Sequence, residues 1–114
     1  MRNDTPDVVR PWGGYTILKK TKTYWVKKLF INKNARLSLQ SHQHRDEIWY
    51  VLSGEIKAQI GNKVNNAKVG DIIYVPKQKK HRIIGVTQAY VLEVAFEKVL
   101  ERDIVRYEDD YGRA

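Results

Sequence analysis

Gln40-Ser41-His42-Gln43-His44-Arg45-Asp46-Glu47-Ile48-Trp49-Tyr50-Val51-Leu52-Ser53-Gly54 reads as two strands around a polar reversal, closed by a tight turn at Ser53-Gly54. Side chains two apart on a strand share a face. Arg36, Ser38, Gln40, His42 and His44 are therefore expected on one face of an Arg36–His42 strand and its extension, with Leu37 and Leu39 on the other. Glu47 opens the antiparallel partner strand and can return to the same point. A second stretch, from Gly70-Asp71 through Ile72–Val75 and Pro76 to His81, brings another histidine to the start of a later strand. A face carrying Arg, Ser, Gln and His is a poor apolar core, because buried polar groups need partners. Facing solvent it is ordinary surface; facing a barrel interior it is a site.

Outward from this stretch, short apolar or alternating runs recur between turn signals, the pattern of an all-β chain. Tyr15–Lys19, Tyr24–Ile31, Glu47–Leu52, Glu55–Ile60, Val64–Lys68, Ile72–Val75, His81–Val86 and Ala89–Phe96 are expected strands. Breaks fall at Asn32-Lys33-Asn34, Gly54, Gly61-Asn62, Gly70-Asp71 and Pro76. The spacing favours a small sandwich or barrel. Glu97–Asp103 is read as a short helix, and Ile104–Arg113 as an ordered tail packed back on the barrel. Residues 1–9 are read as a flexible tail of a single domain, 1–114.

Composition narrows the chemistry. With 114 residues the chain suits one domain burying about two thirds of its unfolded surface. It has no cysteine, so a metal here would take His, carboxylate or amide ligands. Gln40, His42, Glu47 and His81 are four such donors able to converge on one divalent ion. No apolar run reaches membrane-span length and no signal-peptide core follows Met1, so a cytoplasmic protein without a membrane partner is expected. The net charge of +8 favours anionic partners. The lysines are scattered among acids and no nucleic-acid motif is present, which disfavours nucleic acid.

These residues carry a family resemblance. Gln40-Ser41-His42 with Glu47 and Gly54 resembles the first cupin motif, and Gly70, Pro76 and His81 resemble the second. Arg10-Pro11-Trp12-Gly13-Gly14-Tyr15, Arg36 through Trp49, and Asp103-Ile104-Val105-Arg106-Tyr107-Glu108-Asp109-Asp110-Tyr111-Gly112-Arg113 resemble, in order, three motifs of the type II phosphomannose isomerase domain. The resemblance implies a double-stranded β-helix (cupin jelly roll) standing alone, without the nucleotidyltransferase part. It also implies interconversion of mannose 6-phosphate and fructose 6-phosphate, and a homodimer paired through sheet edges. Zinc is the implied ion; cobalt, nickel, manganese and iron also suit the donor set.

Within that reading, His44 and Glu93 are candidate proton shuttles, and Arg106 belongs with the catalytic residues. Arg36, Arg106 and Arg113 are candidates for the phosphate of a phosphorylated sugar, since Arg pairs phosphate oxygens two at a time. Trp12, Trp49 and Tyr107 suit core or dimer packing better than sugar stacking. Gln43, Ile48, Gln78 and the stretch Ala95-Phe96-Glu97 depart from the family pattern. They keep open a non-catalytic sugar-phosphate-binding cupin, or a cupin enzyme acting on another sugar.

Overall fold

Strand-forming runs and their turn residues assemble two facing antiparallel sheets. The computed structural model describes residues 5–97, 99 and 102–113. Its strands are β1 (Val8–Arg10), β2 (Gly13–Lys20), β3 (Tyr24–Ile31), β4 (Leu39–Ser41), β5 (Arg45–Ser53), β6 (Glu55–Ile60), β7 (Lys63–Lys68), β8 (Ile72–Val75), β9 (His81–Gly85), β10 (Ala89–Glu97) and β11 (Val105–Glu108). One sheet runs β1-β2-β3-β10-β5-β8 and the other β11-β4-β9-β6-β7. The fold is an all-β double-stranded β-helix.

Three expectations change. Residues 8 and 9 are not tail: Val8 and Val9 pair with Tyr15 and Gly14 as an edge strand. No helix occurs among the described residues; Glu97 ends β10, while Lys98, Leu100 and Glu101 of the expected helix lie outside them. The Arg36–His42 strand shrinks to Leu39–Ser41, with Arg36 joining the sheet through an isolated bridge to Ile84. The ordered tail does pack back, as β11 against β4.

The first residue of β2 shows why glycine stands there. Gly13 has φ +144°, and a Cβ at that position would lie 1.8 Å from the Phe30 carbonyl oxygen. Only a residue without a side chain admits that approach between strands.

The interior changes character along the strands. At one end Leu29, Ile31, Val51, Ile56, Ile83 and Val91 form a closed apolar core with Trp49 and Trp12. Towards the other end the same inward faces carry Lys27 on β3, Arg45 and Glu47 on β5, and Glu93 on β10. Register lines these groups up: Glu93 lies opposite Lys27 and Trp49, and Glu47 opposite Ala95. The apolar end supplies stability; the polar end is the site.

Candidate functional site

Alternation on β5 sends Arg45, Glu47 and Trp49 inward, and β9 opens with His81 opposite Gln40 of β4. His42, Glu47 and His81 are all buried, and their ligand atoms lie within 4.8 Å of one another. The histidine tautomers follow from their partners. His42 Nδ1 lies 2.6 Å from the Asp103 carbonyl oxygen and His81 Nδ1 lies 3.0 Å from that of Lys79. A carbonyl can only accept, so each Nδ1 carries the proton and each Nε2 keeps its lone pair. His42 Nε2 then stands 3.2 Å from Glu47 Oε2. Two acceptors this close, both buried, require a cation against them.

That donor set fits a divalent ion. Both imidazoles are oriented by backbone carbonyls, the usual arrangement behind a ligating histidine. Glu47 Oε1 accepts from Trp49 Nε1 at 3.0 Å. Gln40 Nε2 donates to Ser38 Oγ at 3.0 Å, which leaves the amide oxygen as its ligating atom. The Arg45 guanidinium brings positive charge to these two acceptors, with Nη2 2.8 Å from Glu47 Oε2 and 3.1 Å from His42 Nε2. Burial opposes ionisation of Glu47, yet its polar neighbours, the Arg45 guanidinium among them, hold its carboxyl well below the usual range. Burial pushes the His81 imidazole down, so it favours the neutral form that can ligate.

A binding ion should stabilise the fold. At a free concentration one hundred times its dissociation constant it contributes about 2.7 kcal/mol, or roughly 10 °C in Tm for a domain of this size. Zinc or cobalt titrated into metal-free protein is expected to give that shift in a thermal melt. His42→Ala should remove it; a shift that survives the substitution would place the ion elsewhere.

Beside this cluster lies a cavity of about 170 Å³. Arg10, Lys27, Arg45, Arg106 and Arg113 bring positive charge to its lining, and Glu93 brings a carboxyl. Glu93 Oε2 accepts from Trp25 Nε1 at 3.0 Å. Burial, reinforced by the charge of Glu47, pushes the Glu93 carboxyl up, against the pull of Arg45 and Lys27. Arg106 has a buried Nε with no hydrogen-bond partner, and its guanidinium is weakened by burial and by Arg113. Such a cationic cavity with an unsatisfied guanidinium nitrogen suits an oxyanion.

Two expected residues stand elsewhere. His44 is exposed in the bend between β4 and β5 and does not line the cavity. The strand ends at Ser41, so alternation does not carry through to residue 44. Arg36 is half-buried and engaged by Asp110, at 2.9 and 2.6 Å, because the irregular segment 36–38 turns Leu37 and Ser38 towards the cavity instead. Arg113 lines the cavity while held by Asp109 at 2.9 Å.

Residues missed in the sequence are Arg45, Lys27, Arg10 and Asp103. Arg45 was legible in principle, since it sits two before Glu47 on one strand. Asp103 closes the bend: its carboxylate accepts from the backbone N–H of Gln43 and His44 at 2.8 and 2.9 Å, and its carbonyl orients His42. Asp103→Ala is expected to cost about 2–3 kcal/mol in urea denaturation, the scale of lost charge-assisted hydrogen bonds. A change within experimental error would remove Asp103 from this role.

Three of the departures from the family pattern avoid the cavity. Gln43 is exposed, and Ile48 lies on the outer face of β5. Gln78 has φ +68°, a left-handed backbone that explains why glycine suits its place.

The family described as mannose-6-phosphate isomerase C-terminal matches residues 2–109. The xanthan biosynthesis protein XanB of Xanthomonas campestris is 38% identical over 109 residues, covering 93% of this chain and 23% of its own length. The mannose-1-phosphate guanylyltransferase ManC of Salmonella typhimurium is 34% identical over 110 residues, covering 94% of this chain and 23% of its own. The chain thus spans less than a quarter of these relatives. An uncharacterised conserved protein with a double-stranded β-helix domain from Klebsiella pneumoniae superposes with a TM-score of 0.74 at 22% identity, over 90% of this chain and 93% of that one.

Proposed function

We propose, for a chain that belongs to the mannose-6-phosphate isomerase C-terminal family and has the cupin fold, a metal-dependent aldose–ketose isomerase. Its substrates would be mannose 6-phosphate and fructose 6-phosphate. The observation that carries the reading is the adjacency of the buried His42–Glu47–His81 cluster to a cation-lined cavity containing one protonatable carboxyl.

His42, Glu47, His81 and Gln40 would hold the ion. When bound it would polarise the substrate carbonyl and stabilise the developing enediolate oxygen. Arg106 and Arg113, with Arg10, would grip the phosphate and fix the sugar's orientation in the cavity. Glu93 then takes the proton from C2 and returns it to C1, while a second proton passes from O2 to O1, so the aldose becomes the ketose without an oxidant. Its raised pKa matches that task, because a base that must also act as an acid works best nearer the working pH. Trp25 keeps the carboxyl in position.

The test is interconversion of the two sugar phosphates by metal-stripped and metal-reconstituted protein, read by NMR. Conversion only after reconstitution supports the reading. Retained metal with no conversion would overturn it and leave a non-catalytic sugar-phosphate-binding cupin.

A further inference from the structure

We infer, resting on the reading of the cavity as a phosphate site, that the acidic run Glu108-Asp109-Asp110 is a clasp. It positions the cavity arginines Arg106 and Arg113, with Arg82 and Arg36 as its anchors on the barrel. β11 carries a bulge: Arg106 lies opposite Gln40 and Glu108 opposite Leu39, so Tyr107 is an extra residue in the register. A bulge re-aims the side chains around it; without it Arg106 and Glu108, two apart, would share a face. Arg106 lines the cavity, while Glu108 accepts from Arg82 Nη1 at 3.1 Å.

The contacts alternate along the run. Asp110 accepts from Arg36 Nε and Nη2 at 2.9 and 2.6 Å. Asp109, between the two tied residues, accepts from the Arg113 backbone N–H at 2.7 Å and from its Nε at 2.9 Å. Arg113 is thereby held in the cavity lining beside Arg106. Tyr107 adds two ties, its hydroxyl 2.9 Å from Ser41 Oγ and its ring 4.3 Å from Lys80 Nζ. The strand ends at Glu108, and beyond it Gly112 and Arg113 hydrogen-bond back to Asp109. The place of Asp109, and with it of Arg113, is therefore set by the ion pairs on either side and by Tyr111, which packs against the core.

These pairs do little for stability. The side chains of Arg36 and Asp110 are 42% and 38% exposed and that of Glu108 62%, and ion pairs so open to water contribute little. Arg82 is buried, and its Nη2 has no hydrogen-bond partner among the described residues. Taking a guanidinium out of water on those terms costs more than it returns. What the arrangement supplies is geometry. Arg82 Nε also donates to the Leu37 carbonyl at 3.0 Å, so one guanidinium ties the tail to a segment that itself lines the cavity. Fixed placement is what paired hydrogen bonds to an oxyanion need.

Neutralising the two tied acids separates placement from charge. Glu108→Gln combined with Asp110→Asn removes two negative charges near a cationic cavity, so simple attraction predicts tighter phosphate binding. A released clasp predicts weaker binding. In calorimetric titration with inorganic phosphate the double variant is expected to bind about 10-fold more weakly than the unmodified chain, as misplaced supporting contacts do. The zinc-induced rise in Tm should stay, and KM for mannose 6-phosphate should rise with kcat nearly unchanged. Equal or tighter phosphate binding by the variant would overturn the clasp alone. Loss of the zinc-induced rise would also overturn it, because it marks a general disturbance of the fold. Phosphate binding by the unmodified chain that is absent, or indifferent to Arg106→Gln, would overturn the phosphate reading of the cavity and the clasp with it.

Discussion

Glu93→Gln is expected to lower kcat for mannose 6-phosphate by about 10²- to 10⁴-fold, the range for removing a general base, with little change in KM. The substitution keeps the shape of the side chain and an oxygen for Trp25 Nε1, 3.0 Å away in the native protein, so the cavity should survive. It removes only the ability to accept a proton from C2. The pH profile separates this from a structural effect. Burial, then the charge of Glu47, hold the Glu93 carboxyl above its ordinary range. The base form therefore fills as pH rises through that elevated value, and kcat/KM of the native protein should rise along the same limb. In Glu93→Gln that limb should vanish. A variant with native kcat would transfer the proton step to another residue.

Glu47→Ala should have the largest effect on stability, about 3–5 kcal/mol, because it leaves a buried charge without its partner. Arg45 is 7% exposed and its Nε and Nη2 both donate to Glu47 Oε2, at 2.9 and 2.8 Å. The loss also orphans Trp49 Nε1 and one wall of the ion site. Arg45 has a fallback in its stacking over Trp25, 4.5 Å from the ring centroid, but a cation–π contact offsets only about 1–2 kcal/mol. Urea denaturation of the metal-free protein measures the difference. The metal-induced rise in Tm should disappear as well. A stability loss below about 1 kcal/mol would show that Arg45 finds an equivalent partner, contrary to the tight pairing described above.

Much of this architecture is legible in the residues. Alternating apolar runs gave most strands of β2 to β10 within a few residues, and the spacing of His42, Glu47 and His81 anticipated the cluster these three form. Alternation fails wherever a strand ends unannounced. Arg36 and His44 were assigned to the ligand face by counting in twos through a segment that is regular only over Leu39–Ser41, so both emerge at the surface. The cavity wall was harder to foresee because it is assembled across long separations. Lys27 and Glu93 meet through β3–β10 register, and Arg106 reaches Gln40 through β11–β4 pairing. No local pattern states that β11 joins the second sheet. Asp103 shows the same difficulty: one residue outside any strand fixes both the bend and the His42 ring by contacts sixty residues distant in sequence.

The central claim is that the carboxyl of Glu93, next to an ion held by His42, Glu47 and His81, moves the C2 proton of a sugar phosphate. Proton NMR of mannose 6-phosphate in D₂O, with protein shown to hold one equivalent of metal, tests it most directly. The account predicts that fructose 6-phosphate appears, and that it does so in metal-loaded protein alone. A bound sugar phosphate whose C2–H signal stays intact beside a fully loaded metal site would contradict it.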